Sequence, residues 1–160
     1  LNRQVNCSWS DKRLKAEHDQ WSEDISDIVF THDDREMNVG PIYKDFQEHS
    51  KFELLTTTKQ MAIEGKKQKH CVASYVSSVD NHGCGIYRVS DYTLELRKRY
   101  TNGHLLLTLG QLKGFDNENA PIEMHELVKK QLESFNKSIA KGDYDECENY
   151  LQDQGDFMPF

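Results

Sequence analysis

Apolar residues return along this chain with two different periods, and the change from one to the other marks out its elements. Leu14, His18, Trp21, Ile25 and Ile28 recur at steps of four, three, four and three, which lines up one face of an α-helix. Ser10 before Asp11 supplies a start for that helix, and the stripe runs to about Phe30 with Trp21 as its packing anchor. Residues 31–40 are acidic and turn-like. Residues 41–49 predict a short helix with Ile42, Tyr43 and Phe46 facing inward, followed by a brief apolar stretch over residues 52–55. Thr57-Thr58-Lys59-Gln60 fits a capping box, with Thr57 as cap and Gln60 reaching back. The helix it opens carries Met61, Ala62 and Ile63 and is expected to stop near Gly65, leaving Lys66 to Lys69 as a basic loop. Val72, Tyr75, Val76 and Val79 then predict a second short helix from Cys71 to about Asp80.

Beyond Asn81-His82-Gly83 the period changes to two. Residues 85–89 and 92–100 read as strands joined by a tight Ser90-Asp91 turn, and residues 104–111 as a returning strand. Asn102-Gly103 between the last two suits a two-residue type I′ hairpin. Asn119-Ala120-Pro121 opens a final long helix, with proline in its first turn. Met124, Val128, Leu132, Phe135 and Ile139 form its buried face, and Gly142 closes it. A short helix over residues 144–151 and a frayed tail follow. The expected fold is α+β, a small three-stranded antiparallel meander with helices before and after it. Residues 1–50 form its helical N-terminal part, 51–142 its α+β core and 143–160 a C-terminal helix and tail, in one domain overall.

The two-residue hairpin fixes a register. Thr101 pairs with His104, Leu96 with Leu109 and Leu94 with Gln111. Alternation then places Tyr92, Leu94, Leu96, Tyr100, Leu105, Leu107, Leu109 and Gln111 on one face. Gln111 is thus an amide at the edge of an apolar face, where it needs a hydrogen-bonding partner. The helix beginning at His70-Cys71 is expected to cover that face. Glu95 falls on the other one unless a bulge intervenes.

Charge changes this picture by segment. The net charge is −7 over 160 residues, with residues 1–50 at −5, 51–113 at +5 and 114–160 at −7. Lys66, Lys67, Lys69, Arg97 and Arg99 in the basic centre are candidates for a polyanion or partner surface. The competing reading is internal balance, with acidic helices lying on a basic sheet. The acidic total disfavours strong nucleic-acid binding, because phosphate contacts dominate such affinity. No apolar run approaches the roughly 18 residues of a membrane span. Cys7, Cys71, Cys84 and Cys147 are scattered, which predicts free thiols in a reducing, cytoplasmic setting. The first residues have neither an initiator Met nor an apolar targeting core, so a piece of a longer protein is expected.

Candidate chemistry gathers at two places. At one, His70 directly precedes Cys71 where a loop enters a helix. At the other, Gln111, Gly114 and Asn117 punctuate the exit of a strand at three-residue spacing. Cys71 is the candidate nucleophile, since helix N–H groups and nearby lysines favour a thiolate. His70 is its sequence neighbour, and His104 with Asn117 as orienter is a second base arrangement. His70, Cys71, His82 and Cys84 have the atom types for zinc, but HC and HxC are poor ligand pairs, so neither a metal nor another cofactor is expected. Cys71 and Tyr75 read equally as core residues, with His70, Gln111 and Asn117 capping element ends. Between these extremes lies a polar binding pocket formed by Tyr75, Glu95, Gln111, Gly114 and Asn117 around His70-Cys71.

Glu64-Gly65, His70-Cys71-Val72 with Tyr75, Thr93-Leu94-Glu95 and Gln111-x-x-Gly114-x-x-Asn117, in that order and spacing, resemble the PcfJ-like family. The resemblance covers residues 51–135 well and the Trp-bearing helix loosely. It implies a bacterial, plasmid- or phage-borne protein associated with conjugative or other mobile elements, and it implies no particular reaction. A module binding a small ligand or protein partner through this pocket is the reading preferred. A Cys71 hydrolase or transferase and a component of a nucleic-acid-processing assembly are the alternatives.

Overall fold

Two turns place the sheet. Ser90 and Asn102 both adopt left-handed backbone, with φ of 57° and 54°, and the strands on either side of each pair directly, Val89 with Tyr92 and Thr101 with His104. The computed structural model describes residues 10–32, 34–102, 104–140 and 143–144, with backbone alone for Ser22 and residues 25–32. In chain order its elements are α1 (Asp11–His32), α2 (Pro41–Ser50), β1 (Glu53–Leu54), α3 (Thr58–Gln68), a 3₁₀ turn (Cys71–Tyr75), α4 (Val76–Asp80), β2 (Cys84–Val89), β3 (Tyr92–Thr101), β4 (His104–Lys113), a second 3₁₀ turn (Phe115–Asn117) and α5 (Ile122–Ser138). The class is α+β as expected, but the sheet has four antiparallel strands in the order β1-β2-β3-β4 rather than three. The extra strand is the two-residue β1, paired with Tyr87 and Arg88 of β2. A strand this short leaves no alternation to read, and its partner lies beyond α3 and α4 in the chain.

Thr57 caps α3 as its sequence predicts, accepting from the Gln60 amide while Gln60 reaches back to Thr57. The helix does not stop at Gly65. Lys66, Lys67 and Gln68 favour helix strongly enough to offset a single buried glycine, which costs about 1 kcal/mol. The turn to left-handed backbone comes at Lys69 (φ 52°), so the expected basic loop is the last turn of a helix and its cap.

Both faces of the sheet are covered, and the register decides how. From the hairpin, β3 and β4 pair as predicted as far as Leu96 with Leu109. There a bulge intervenes, and Glu95 pairs with Gln111, Leu94 with Leu112 and Thr93 with Lys113. Directly paired residues share a face, so Gln111 belongs with Glu95 and Thr93, and Leu112 replaces it beside Leu94. The leucine face, with Leu94, Leu96, Leu107 and Leu112 all nearly inaccessible, packs against α2 and α5. Phe46 stands edge-on to Tyr87 and Phe135 at 5.5 and 5.3 Å, and the Tyr87 hydroxyl donates to the Tyr43 carbonyl. The 3₁₀ turn at Cys71 covers the opposite face together with α3, and α1 lies over both. The expectation that this turn covers the leucine face is therefore corrected. Leu109, beside the bulge, and Tyr100, near the hairpin, are exposed although simple alternation places them inside.

In α5, Val128, Leu132 and Phe135 are buried as predicted, with Ile139 just past the helix end and Met124 packed against the core. Asn136 turns its amide to β4, donating to the Leu107 carbonyl at 2.8 Å and accepting from the Leu107 N–H at 2.9 Å. The side chains of Ile25, Ile28 and Phe30, the stop at Gly142, the helix expected over residues 144–151 and the tail lie outside the described residues.

Candidate functional site

The inward stripe of α3 carries a carboxylate. Met61, Glu64, Gly65 and Gln68 share one helical face, and Glu64 is fully buried beneath the sheet. Its Oε1 accepts the Thr93 hydroxyl at 2.6 Å and Gln68 Nε2 at 3.4 Å, while Oε2 accepts Arg88 Nε at 2.7 Å. Arg88 Nη1 continues to Glu53 at 2.8 Å. Lys69, in left-handed backbone, ends the helix and delivers His70 to the same network, with Nε2 3.0 Å from the Thr93 hydroxyl. Thr93 has one proton and gives it to Glu64, so His70 Nε2 must be the donor to Thr93. This assigns the ring's tautomer and leaves Nδ1 as its acceptor nitrogen. His70 is buried.

Burial pushes the His70 imidazole below its ordinary range, against smaller opposing pulls from a hydrogen bond to its own backbone and from Glu64. The neutral ring is therefore the folded form. Stability from this source is complete above the unfolded value of about 6.5 and is lost as pH falls through the lower folded value. Denaturant midpoints at pH 7.5 and 5.0 are expected to diverge more in the native protein than in His70→Gln. His82 is also lowered, by burial and by Lys98 and Lys44, but it is present in both proteins and cancels. Equal divergence would remove the assignment.

Beside this network His70, Cys71, Tyr75, Glu95, Gln111 and Asn117 line one cleft of about 40 Å³, with Val72, Ile86, Thr93 and Lys113 completing it. The bulge brings Gln111 here, since a continuous register would turn it to the leucine face. Its Nε2 donates to the Tyr75 hydroxyl at 3.2 Å. Gly110 is the inserted residue, and a Cβ there would lie 2.9 Å from Glu95 Oε2. Gly114 does not line the cleft. It is buried against Tyr92, whose ring a Cβ would meet at 3.1 Å. Asp116 and Asn117 follow in left-handed backbone, which asparagine and aspartate tolerate best. The turn they form is held by Lys15 of α1 to Asp116 at 2.8 Å, and by Lys69 over the Phe115 ring.

Cys71 is half-buried, and burial pushes its thiol up rather than down. His70 spends Nε2 on Thr93, and His104 sits at the hairpin end of β4, about 20 Å along the strand from Gln111. Cys71 and Cys84 are free; Cys7 and Cys147 lie outside the described residues. No three His, Cys, Asp or Glu side chains gather as metal ligands among the described residues. The basic centre is largely paired within itself: Arg97 with Glu95, Arg88 with Glu53 and Glu64, and Lys67 with Asp91 at 3.9 Å. Arg97 and Arg99 are exposed toward the hairpin end, away from the cap of α3 that carries Lys66, Lys67 and Lys69. No helix among the described residues is long and apolar enough to cross a membrane.

The four blocks singled out in the sequence, residues 64–65, 70–75, 93–95 and 111–117, thus meet around one buried network and one cleft. A family model for PcfJ-like proteins matches residues 3–129. The chain belongs to the PcfJ-like family. No curated protein and no solved structure gives a match. The family match extends well beyond the four blocks into α1, which lies over the cleft-forming turn. Glu64 and Thr93 were legible as parts of the family blocks but not as members of the site. A charged residue on the inward stripe of α3 is the signal that marks Glu64.

Proposed function

We propose that this PcfJ-like chain is a binding module of a bacterial mobile-element protein, plasmid- or phage-borne and cytoplasmic, which holds a ligand or partner segment in the cleft between Cys71, Glu95 and Gln111. The observation that carries this reading is the convergence of the four family blocks. Residues from a helix cap, a central strand and a bulged edge strand meet at one cleft, and a bulge is maintained where continuous pairing would have turned Gln111 away from it. Bulges re-aim side chains in this manner next to functional sites. The mobile-element setting rests on family membership. A screen of small polar fragments by amide chemical shifts tests the binding role, with hits expected to cluster on Cys71, Tyr75, Glu95 and Gln111 and to vanish in Gln111→Trp. A panel that never shifts these residues would sink it.

The same cleft chemistry bears on the nucleophile reading. Burial favours the protonated thiol at Cys71, so peptide-resolved alkylation by iodoacetamide is expected to be slow at neutral pH. The rate should climb about tenfold per pH unit until it passes the ordinary thiol value of about 8.5. A rate already saturated at pH 7 would instead support a thiolate enzyme.

A further inference from the structure

The open side of the cleft presents donors. Gln111 and Asn117 are exposed, Tyr75 and Lys113 partly so, and all four line the cleft. Lys113 pairs with Thr93 and Gln111 with Glu95, so Gln111 and Lys113 project from one face of β4, about 6.5 Å apart along the strand. Gln111 gives one amide proton to the Tyr75 hydroxyl at 3.2 Å and keeps the other. Tyr75 accepts in that bond and still has its own proton to give. Lys113 spends one of its three protons, on the Asn119 amide oxygen at 2.6 Å. The side-chain amide of Asn117 forms no hydrogen bond among the described residues.

Charge points the same way. Lys113 has no carboxylate partner among the described residues, although a partly buried ammonium gains from one. The acids nearby are committed elsewhere. Glu95 accepts Arg97 Nε on Oε1 at 2.6 Å, and its Oε2 is enclosed away from solvent. Asp116 holds Lys15 with both oxygens at 2.8 Å. Glu118, exposed in the following residue of that turn, does not line the cleft. The solvent-facing side of the cleft is therefore a wall of donors with one uncompensated positive charge.

We propose that this wall binds a carboxylate between Lys113 Nζ and the Tyr75–Gln111 pair, as found at the end of a glutamate side chain or of a small organic acid. The proposal rests on the reading of the cleft as a binding site and names its ligand. Charge, valence and size select the group. One lysine neutralises a carboxylate, whereas a phosphate dianion would keep excess negative charge beside Glu95. An ionised carboxylate only accepts, which suits a wall of N–H and O–H groups. A volume of about 40 Å³ holds roughly three water-sized groups, the size of a carboxylate's three heavy atoms.

The test is an amide chemical-shift titration of the full chain, at low salt, with propionate, propionamide and n-propylammonium. The three probes are close in size and differ in charge. Propionate is expected to bind with a Kd on the order of millimolar, as suits five heavy atoms, and at least about tenfold tighter than the other two. Lys113→Met keeps the stem without the charge and is expected to weaken propionate by about tenfold or more. Tyr75→Phe removes one hydroxyl donor, weakens it by about threefold to tenfold, and serves should the first variant fail to fold. Nα-acetyl-glutamate methylamide carries the same tail on a peptide backbone and separates the sources. Tighter binding than propionate points to a partner's glutamate, and weaker binding to a free acid. Propionamide or propylammonium binding as tightly as propionate, or propionate affinity unchanged in both variants, would overturn the carboxylate assignment while leaving the cleft a binding site. Absence of any binder, in this series and in the fragment panel, would overturn both.

Discussion

Glu64→Ala is expected to cost about 3–5 kcal/mol of folding free energy, as removal of one partner from a buried charge pair does, lowering Tm by roughly 10–20 °C. The substitution leaves Arg88 Nε and the Thr93 hydroxyl facing an empty site beneath the sheet, and His70 then loses the orientation of its own partner. Arg88 keeps Glu53, but that carboxylate is half-exposed and its bond with Arg88 is correspondingly weak. Glu64→Gln retains an acceptor for Thr93 and should fall between alanine and the native protein. A cycle with Arg88→Met isolates the pair itself, because removing both charges avoids the orphaned group. A Tm drop of less than about 3 °C for Glu64→Ala would mean that the network does not hold the cleft face in place.

The elements with strong local chemistry were legible in the sequence. The Thr57–Gln60 capping box, the Asn102-Gly103 hairpin and the stripe of α5 each depend on neighbours within a few residues. Two features that depend on distant ones were not. Nothing near Glu53-Leu54 announces pairing with Arg88 and Tyr87. Counting back from the hairpin cannot find an inserted residue at Gly110, whose reason lies across the strand pair at Glu95. Gln111 reached the cleft in both accounts by different routes. Simple register gave it to the leucine face and sent the Cys71 turn there as well; the structure moves both to the opposite face. The two displacements cancel, because turn and strand end are related to each other more firmly than either is to the sheet's core. His70 and Cys71 were legible as a pair but not as opposites, one drawn into the Glu64 network and the other left on the cleft.

Phe46→Ala should be comparably severe, about 3–5 kcal/mol, and for an unrelated reason. Phe46 is wholly buried where α2, α5 and β2 meet, edge-on to Phe52, Tyr87 and Phe135. Truncation opens a cavity that three aromatic rings cannot close without leaving their own contacts. Phe46→Leu fills most of that space and should cost roughly 1–2 kcal/mol. Equilibrium denaturation of both variants measures the difference, and similar losses for the two would show that the layer collapses freely. Because this residue lies on the leucine face, amide shifts of Cys71 and Gln111 are expected to remain unchanged in Phe46→Leu. Glu64 variants should move them.

Asn136 has a consequence for the molecule's dealings with copies of itself. β4 ends the row of strands, and its outward backbone groups are the sort that recruit another chain into an extended ribbon. At Leu107 the carboxamide of Asn136 occupies both of those groups, imitating one rung of a fifth strand that never propagates. Further along, Ala120 donates its N–H to the Leu112 carbonyl and blocks a second rung. Two local stoppers on one rim shorten the uninterrupted template, so the guarding of this edge rests on a side chain in the last described helix as much as on the strand being protected.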